Sequence, residues 1–206
     1  MMPVRVAVIR TGTANLASVL AGLRRAGVEP YLTEDPADVE RENLVVLPGV
    51  GTLSAAMHGL DSQGLTGPLR DRLLALRPTM CVCLGMQLLC SGSDESPGFA
   101  GLGVVDVQVG RFPETVRVPQ LGWNSVAAQE GCRYLRTGYA YFANSYRITA
   151  IPEGWHGALS VHGGEFVAAM ERGGVLACQF HPELSGAWGQ ALINSWVATS
   201  EVASRC

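Results

Sequence analysis

Residues Met80-Cys81-Val82-Cys83-Leu84-Gly85-Met86-Gln87 decide the fold. Thr79 to Val82 is a short apolar run that reads as a buried strand, and Leu84 to Cys90 reads as the start of a helix. Cys83 stands between them. A strand that passes into a helix through a single residue, with glycine two places on, is how a nucleophile elbow is built. The sharp turn lifts that side chain out of the sheet and aims the first N–H groups of the helix at whatever binds there. A thiol in that place meets the positive end of the helix, which favours its thiolate form. Gly85 lets another backbone segment approach closely.

Upstream, the same alternation repeats. Val4 to Ile9 reads as a strand. Asn15 to Gly27 carries Leu16, Val19, Leu20 and Leu23 at helical spacing. Val28 to Thr33 and Leu44 to Leu47 read as strands, the latter stopped by Pro48-Gly49-Val50-Gly51, and Leu65 to Leu76 reads as a helix. Strand and helix alternating over the first ninety or so residues imply right-handed β-α-β units and a mostly parallel sheet covered on both faces. Downstream the pattern changes. Val104 to Val109, Arg117 to Pro119, Ala140 to Ala143, Ala158 to Val161, Glu165 to Met170 and Val175 to Phe180 read as short strands between Gly, Pro and Asn turns, with Gly163-Gly164 suited to a hairpin. A helix from about Ala187 to Val197 follows. The expectation is one α/β domain over residues 1–206: a central, mostly parallel sheet with helices on both faces, plus an antiparallel strand region.

Composition narrows the function. The chain has 206 residues, 48% hydrophobic and only 16% charged, with a net charge of −3, so it can bury a core. It contains no lysine, which excludes a lysine Schiff base and the lysine of a phosphate-cradling loop. Without a basic run it is not expected to bind nucleic acid, and without a long apolar stretch it is not expected to span a membrane. Met1-Met2-Pro3-Val4-Arg5 does not read as a secretory signal. Six irregularly spaced cysteines fit a reducing, cytoplasmic compartment, with Cys90, Cys132 and Cys178 read as small buried hydrophobes. His58, His156 and His162 sit in no pattern with a partner, and the tryptophans read as core or interface aromatics.

A second segment pairs with the elbow: Cys178-Gln179-Phe180-His181-Pro182-Glu183. In extended backbone His181 and Glu183 point the same way, so Glu183 can hold the imidazole in one tautomer while His181 serves Cys83 as base. A metal reading of Cys81, Cys83 and His181 is poorer, since Cys-x-Cys without a second cluster supplies too few ligands.

Together, Cys83-Leu84-Gly85-Met86-Gln87 and Phe180-His181-Pro182-Glu183 resemble the class I (triad) glutamine amidotransferases. Pro48-Gly49-Val50-Gly51, Gly122-Trp123-Asn124, Phe142 to Tyr146, and Asn15-Leu16 with Ser18-Val19 are similar to the glutaminase subunits of imidazole glycerol phosphate synthase within that family. The resemblance implies a class I amidotransferase fold and a Cys83, His181, Glu183 triad that hydrolyses glutamine through a thioester. It also implies an oxyanion hole from the amide of Leu84 and one from Gly49, Val50 or Gly51, and glutamine contacts at Gln87, Glu95, Ser145 and Tyr146. It implies no cofactor and no metal. Its partner would be a (β/α)₈-barrel cyclase in a heterodimer, docking against Pro48 to Leu53 and Gln120 to Asn124, consuming the ammonia and switching on a nearly silent glutaminase. Reorientation of the Val50 peptide would explain such gating. A diverged non-catalytic paralogue, or another cysteine hydrolase of similar fold, is the alternative. Several positions depart from the family pattern: Arg10-Thr11-Gly12, Ala14, Cys81, Gln120, Asn144 and Leu184.

Overall fold

The computed structural model describes residues 4–11 and 16–203, with side chains to 198; Gly12, Ala14, Asn15 and Cys206 lie outside the described residues. The first half runs β1 (Arg5–Ile9), α1 (Leu16–Arg25), β2 (Glu29–Thr33), α2 (Pro36–Arg41), β3 (Leu44–Gly49), α3 (Leu53–Ser62), α4 (Thr66–Leu74), β4 (Thr79–Cys83) and α5 (Leu84–Gln87). The second half contains β5 (Gly92–Ser93), β6 (Gln108–Arg111), β7 (Gln120–Ala128), β8 (Gly138–Asn144), β9 (Tyr146–Arg147), β10 (His156–Val161), β11 (Glu165–Arg172) and β12 (Val175–Cys178). A 3-10 turn (Pro182–Leu184) and α6 (Gly186–Ala203) follow.

Nine strands form one sheet in the order β2-β1-β3-β4-β12-β11-β10-β7-β8. The five strands from β2 to β12 are mutually parallel, and the remaining pairings are antiparallel. Alternate residues of the parallel strands face opposite cores, as pleating requires. Val6, Val8, Val46 and Val82 pack with α1 and α6 through Leu23, Ile193 and Trp196. Ala7, Ile9, Leu47 and Cys81 pack with α3 and α4 through Leu53, Leu60, Leu69 and Leu73. Covered on both faces, these strands read as continuous apolar runs.

Four local differences have identifiable causes. The helix after Cys83 stops at Gln87. The carbonyls of Leu88, Leu89 and Cys90 instead accept from the amides of Leu102, Gly103, Val104 and Val105. Those bonds also keep Val104 to Val107 out of a strand, so β6 starts only at Gln108. Arg117 to Pro119 forms no strand; the Arg117 carbonyl is 2.8 Å from His162 Nε2. The chain pairs instead along β7, where exposed residues alternate with buried or half-buried ones. Two unexpected helices carry their own start signals. Asp35 caps α2, accepting from the Ala37 amide at 2.9 Å with Pro36 just inside. Thr52 caps α3 by accepting from the Ala55 amide. The Gly163-Gly164 hairpin between β10 and β11 forms as expected.

Among the described residues, no helix is long and apolar enough to cross a membrane. Cys90 and Cys178 are buried, whereas Cys132 is half-buried, and none of the five described cysteines forms a disulfide. His58 and His156 are exposed. Trp155 and Trp196 are core residues, while Trp123 is 59% exposed.

Candidate active site

β3, β4 and β12 are neighbours in the sheet, and the candidate site stands at their C-terminal ends, where open parallel sheets place their ligands. Gly49 ends β3 and pairs in register with Cys83 at the end of β4. Cys83 has φ 56° and ψ −111°, a left-handed conformation uncommon for a side-chain-bearing residue. The strand-to-helix elbow read from the sequence is therefore present, with its strain on the thiol residue. Since α5 is a single turn, its N–H groups act as a few local dipoles rather than as a long helix dipole.

Two glycines make the elbow possible. A Cβ on Gly85 would stand 2.0 Å from the Leu47 carbonyl oxygen. One on Gly49 would meet Leu84 Cβ at 3.0 Å and the Gly85 amide nitrogen at 3.1 Å. Backbone thus packs on backbone, bringing the Gly49-Val50-Gly51 loop against the start of α5. Gly51 has φ +98°, which glycine adopts freely.

β12 delivers the second segment. His181 Nδ1 lies 2.9 Å from Glu183 Oε1. The pair is not extended, as the sequence suggested; His181 caps the 3-10 turn that carries Glu183. That turn is pinned to β8: the His181 amide donates to the Tyr141 carbonyl, and Ser185 Oγ accepts from the Tyr141 amide while donating to the His181 carbonyl. With Nδ1 taken by Glu183, Nε2 is left for Cys83. Burial lowers the affinity of His181 for its proton, but hydrogen bonds and charge interactions with Cys83 and Glu183 outweigh it and raise its pKa to about 10. An imidazole this basic holds a proton drawn from a thiol.

A cavity of about 200 Å³ opens over Cys83 and His181. Val50, Gly51, Leu84, Gln87, Glu95, Ser145 and Tyr146 also line it. The residues anticipated around the thiol therefore border one space except Gly49 and Glu183, which line a smaller recess that His181 and Val50 share. Glu95 is half-buried, and burial raises its carboxyl pKa, only partly opposed by a hydrogen bond with the Leu53 backbone. A bound cation would relieve that penalty. Cys81 faces the other core, fully buried, with its thiol pKa pushed far up by desolvation, so it does not converge on the site.

Two site residues were not anticipated as such. Asn144 lines the cavity, and its Oδ1 is buried without a hydrogen-bond partner among the described residues. Gln179 is fully buried, with Nε2 3.8 Å from Cys83 Sγ. Its place two residues before His181 puts it near the site but does not show its bond to Gln87.

Comparison with known proteins shows the family. The family "Glutamine amidotransferase class-I" matches residues 8–198. The "Imidazole glycerol phosphate synthase subunit HisH" of Deinococcus radiodurans is 40% identical over 88% of this chain and 87% of its own. That of Symbiobacterium thermophilum is 36% identical over 93% of this chain and 92% of its own. Among solved structures, a glutamine amidotransferase superposes with a TM-score of 0.76 at 21% identity, covering 95% of this chain and 98% of that one. The PurLQS structure from Thermotoga maritima reaches 0.73 at 16% identity, covering 96% and 99%. These two likenesses support the fold. Elbow, basic histidine, sheet order and sequence relationship agree: the chain belongs to the class I glutamine amidotransferases and, within them, to the HisH subunits of imidazole glycerol phosphate synthase.

Proposed function

We propose that Cys83, His181 and Glu183 make this chain the glutaminase of an imidazole glycerol phosphate synthase, releasing ammonia from glutamine for a partner subunit. The observation that carries this reading is the series Glu183–His181–Cys83: a carboxylate 2.9 Å from Nδ1 of an imidazole whose pKa is raised to about 10, and a strained thiol that borders the same cavity as that imidazole.

Cys83 Sγ attacks the carboxamide carbon of glutamine while His181 holds the thiol proton. The tetrahedral oxyanion meets the amide of Leu84 and one from the Gly49-Val50-Gly51 loop. Collapse breaks the C–N bond, and His181 protonates the departing nitrogen, which leaves as ammonia. Water, deprotonated by His181, then hydrolyses the thioester to glutamate and restores the thiol. Glu183 fixes the tautomer and stabilises the imidazolium throughout. Within the same cavity Glu95 suits the α-ammonium, and Gln87, Ser145 and Tyr146 complete the amino-acid pocket.

The partner surface is proposed on the antiparallel part of the sheet. Leu121 and Trp123 are 64% and 59% exposed on β7, and Tyr139 and Val161 are exposed beside them on β8 and β10. Their register puts Leu121, Trp123 and Tyr139 on one face, since Trp123 pairs with Tyr141 and Ser125 with Tyr139. An uncovered apolar face of this kind marks an interaction site. It fits a (β/α)₈-barrel cyclase in a heterodimer. The contribution from Pro48 to Leu53 is narrower than expected, because Leu53 is fully buried and only Gly51 and Thr52 are exposed. Docking there would set the Val50 peptide and gate hydrolysis.

The test is covalent. A glutamine-analogue electrophile should label Cys83, with free glutamine protecting it and Cys83→Ala abolishing both label and turnover. Labelling at another cysteine overturns the assignment. Full glutaminase activity in the isolated subunit overturns the gating.

A further inference from the structure

Gln179 has no exposed surface and does not reach the cavity, yet its side-chain Nε2 faces Cys83 Sγ at 3.8 Å. Its Oε1 accepts from Gln87 Nε2 at 2.8 Å. Gln87 Nε2 also donates to the Tyr146 carbonyl at 3.4 Å, an oxygen that Asn144 Nδ2 reaches at 3.0 Å. A backbone carbonyl can only accept, so it sets the polarity of this chain of amides. Turning Gln87 over would oppose two oxygens, its own and that of Tyr146. Turning Gln179 over alone would oppose two NH₂ groups, its own and that of Gln87. The Gln179 NH₂ therefore has one sense available, toward the sulfur.

We propose that Gln179 is a positioning residue for the nucleophile: its carboxamide, oriented from the Tyr146 carbonyl through Gln87, donates a hydrogen bond to Cys83 Sγ and stabilises the thiolate. The proposal rests on Cys83 being the nucleophile. A donor aimed at an acceptor that becomes charged favours the charged form, and the effect is stronger in a buried site than in water. The 3.8 Å separation leaves room for the bond to shorten as charge gathers on the sulfur. His181 and Gln179 then share the sulfur, the first removing its proton and the second holding the charge left behind. Gln87 links this support to the cavity wall, so the group that borders the substrate also orients the group that braces the nucleophile.

The measurement is the pH dependence of Cys83 alkylation by iodoacetamide in the full chain, with the modified thiol located by peptide mass spectrometry. Gln179→Met keeps the volume and removes the donor. Loss of a hydrogen bond to a charged group should move the alkylation midpoint upward by roughly one to two pH units, with the alkaline plateau retained. Gln87→Met, which frees Gln179 to turn, should move it in the same direction by less. In the complete synthase, Gln179→Met should lower kcat for glutamine at neutral pH by roughly tenfold while KM stays within about twofold, because Gln179 does not reach the substrate. An unmoved midpoint in folded Gln179→Met overturns the proposal. Should that variant not melt cooperatively, an unmoved midpoint in Gln87→Met overturns it instead. If glutamine does not protect Cys83 in the unsubstituted protein, the nucleophile assignment itself has failed, a different outcome from a protected Cys83 whose midpoint ignores Gln179.

Discussion

The carbonyl oxygen of Leu47 occupies the place where a side chain on residue 85 would begin: a Cβ on Gly85 would come within 2.0 Å of it. β3 and the elbow thus touch backbone to backbone, and this contact sets Gly49 opposite Cys83. Gly85→Ala forces these segments apart. Overpacking against backbone costs about 1–3 kcal/mol, visible as a lower Tm. Because the displaced segment also carries the loop of Gly49, Val50 and Gly51, activity should fall further than stability, by roughly a hundredfold. Thermal melts and glutaminase assays on one preparation check this. Full activity with a normal Tm would show that the contact is not needed.

Arg72 stabilises the far end of the same strands. It is 2% exposed and has no carboxylate partner among the described residues; it donates to the carbonyls of Val39, Glu42, Asn43 and Pro78 and to Thr79 Oγ1. Burial lowers its pKa to about 9. Arg72→Met would remove a donor from each of these groups; the Glu42 carbonyl keeps Arg77 and that of Pro78 keeps the Val45 amide, so the loss falls on Val39 and Asn43, and buried acceptors left short in this way cost about 3 kcal/mol. Thr79 and Cys83 stand at opposite ends of β4, roughly 13 Å apart. The variant should therefore melt well below the parent yet hydrolyse glutamine normally at low temperature, a split that melts and kcat at 10–15 °C or so would reveal.

Legibility in the sequence followed the physics of each half of the sheet. Leu44 to Leu47 was readable because β3 is buried on both faces, so nothing polar interrupts it. β7 was not, because a strand with one open face mixes Gln120, Asn124 and Ser125 with Leu121 and Trp123, and Gly122 within it takes φ +127°. Cys83 and His181 were readable because each stands where an apolar run ends, which local pattern can show. Glu183 meets His181 through a 3-10 turn, not through the extended chain that the sequence suggests. Gln179 stayed unread. Its meaning depends on Gln87, 92 residues away, and on the Tyr146 carbonyl, and no local pattern carries that relation.

His181 should make both activity and stability depend on pH through Glu183. Its ordinary value of 6.5 is raised to about 10: burial pulls it down, and Cys83 and Glu183 outweigh that. A group raised in the folded state contributes stability that is fully present below about pH 6.5 and is lost as pH rises through about 10. Glu183→Gln retains the shape and removes one raising partner. The fall in Tm between neutral and alkaline pH should become shallower, and kcat at neutral pH should drop by roughly a hundredfold. Tm measured across that range in both proteins decides it; parallel curves would mean that Glu183 does not act on the imidazole's charge.

Trp123 offers the sharpest separation of docking from chemistry. Its ring is 59% exposed and stacks edge-on against Tyr141, with centroids 6.3 Å apart. Tyr141 in turn accepts the His181 amide through its carbonyl. An exposed aromatic at the centre of an apolar face is the type of residue whose truncation costs an interface about 2 kcal/mol, or roughly thirtyfold in affinity. Trp123→Ala leaves β7 paired with β8 through its backbone, so the monomer should melt as before and Cys83 should alkylate at an unchanged rate. Binding of the synthase partner should weaken by that factor, and partner-stimulated glutamine hydrolysis should recover when the partner is supplied in excess. Titration calorimetry and activity measured against partner concentration distinguish the cases. If stimulation stays low at saturating partner, the contact between Trp123 and Tyr141 transmits the signal as well as holding the partner; if affinity is unchanged, the partner binds elsewhere.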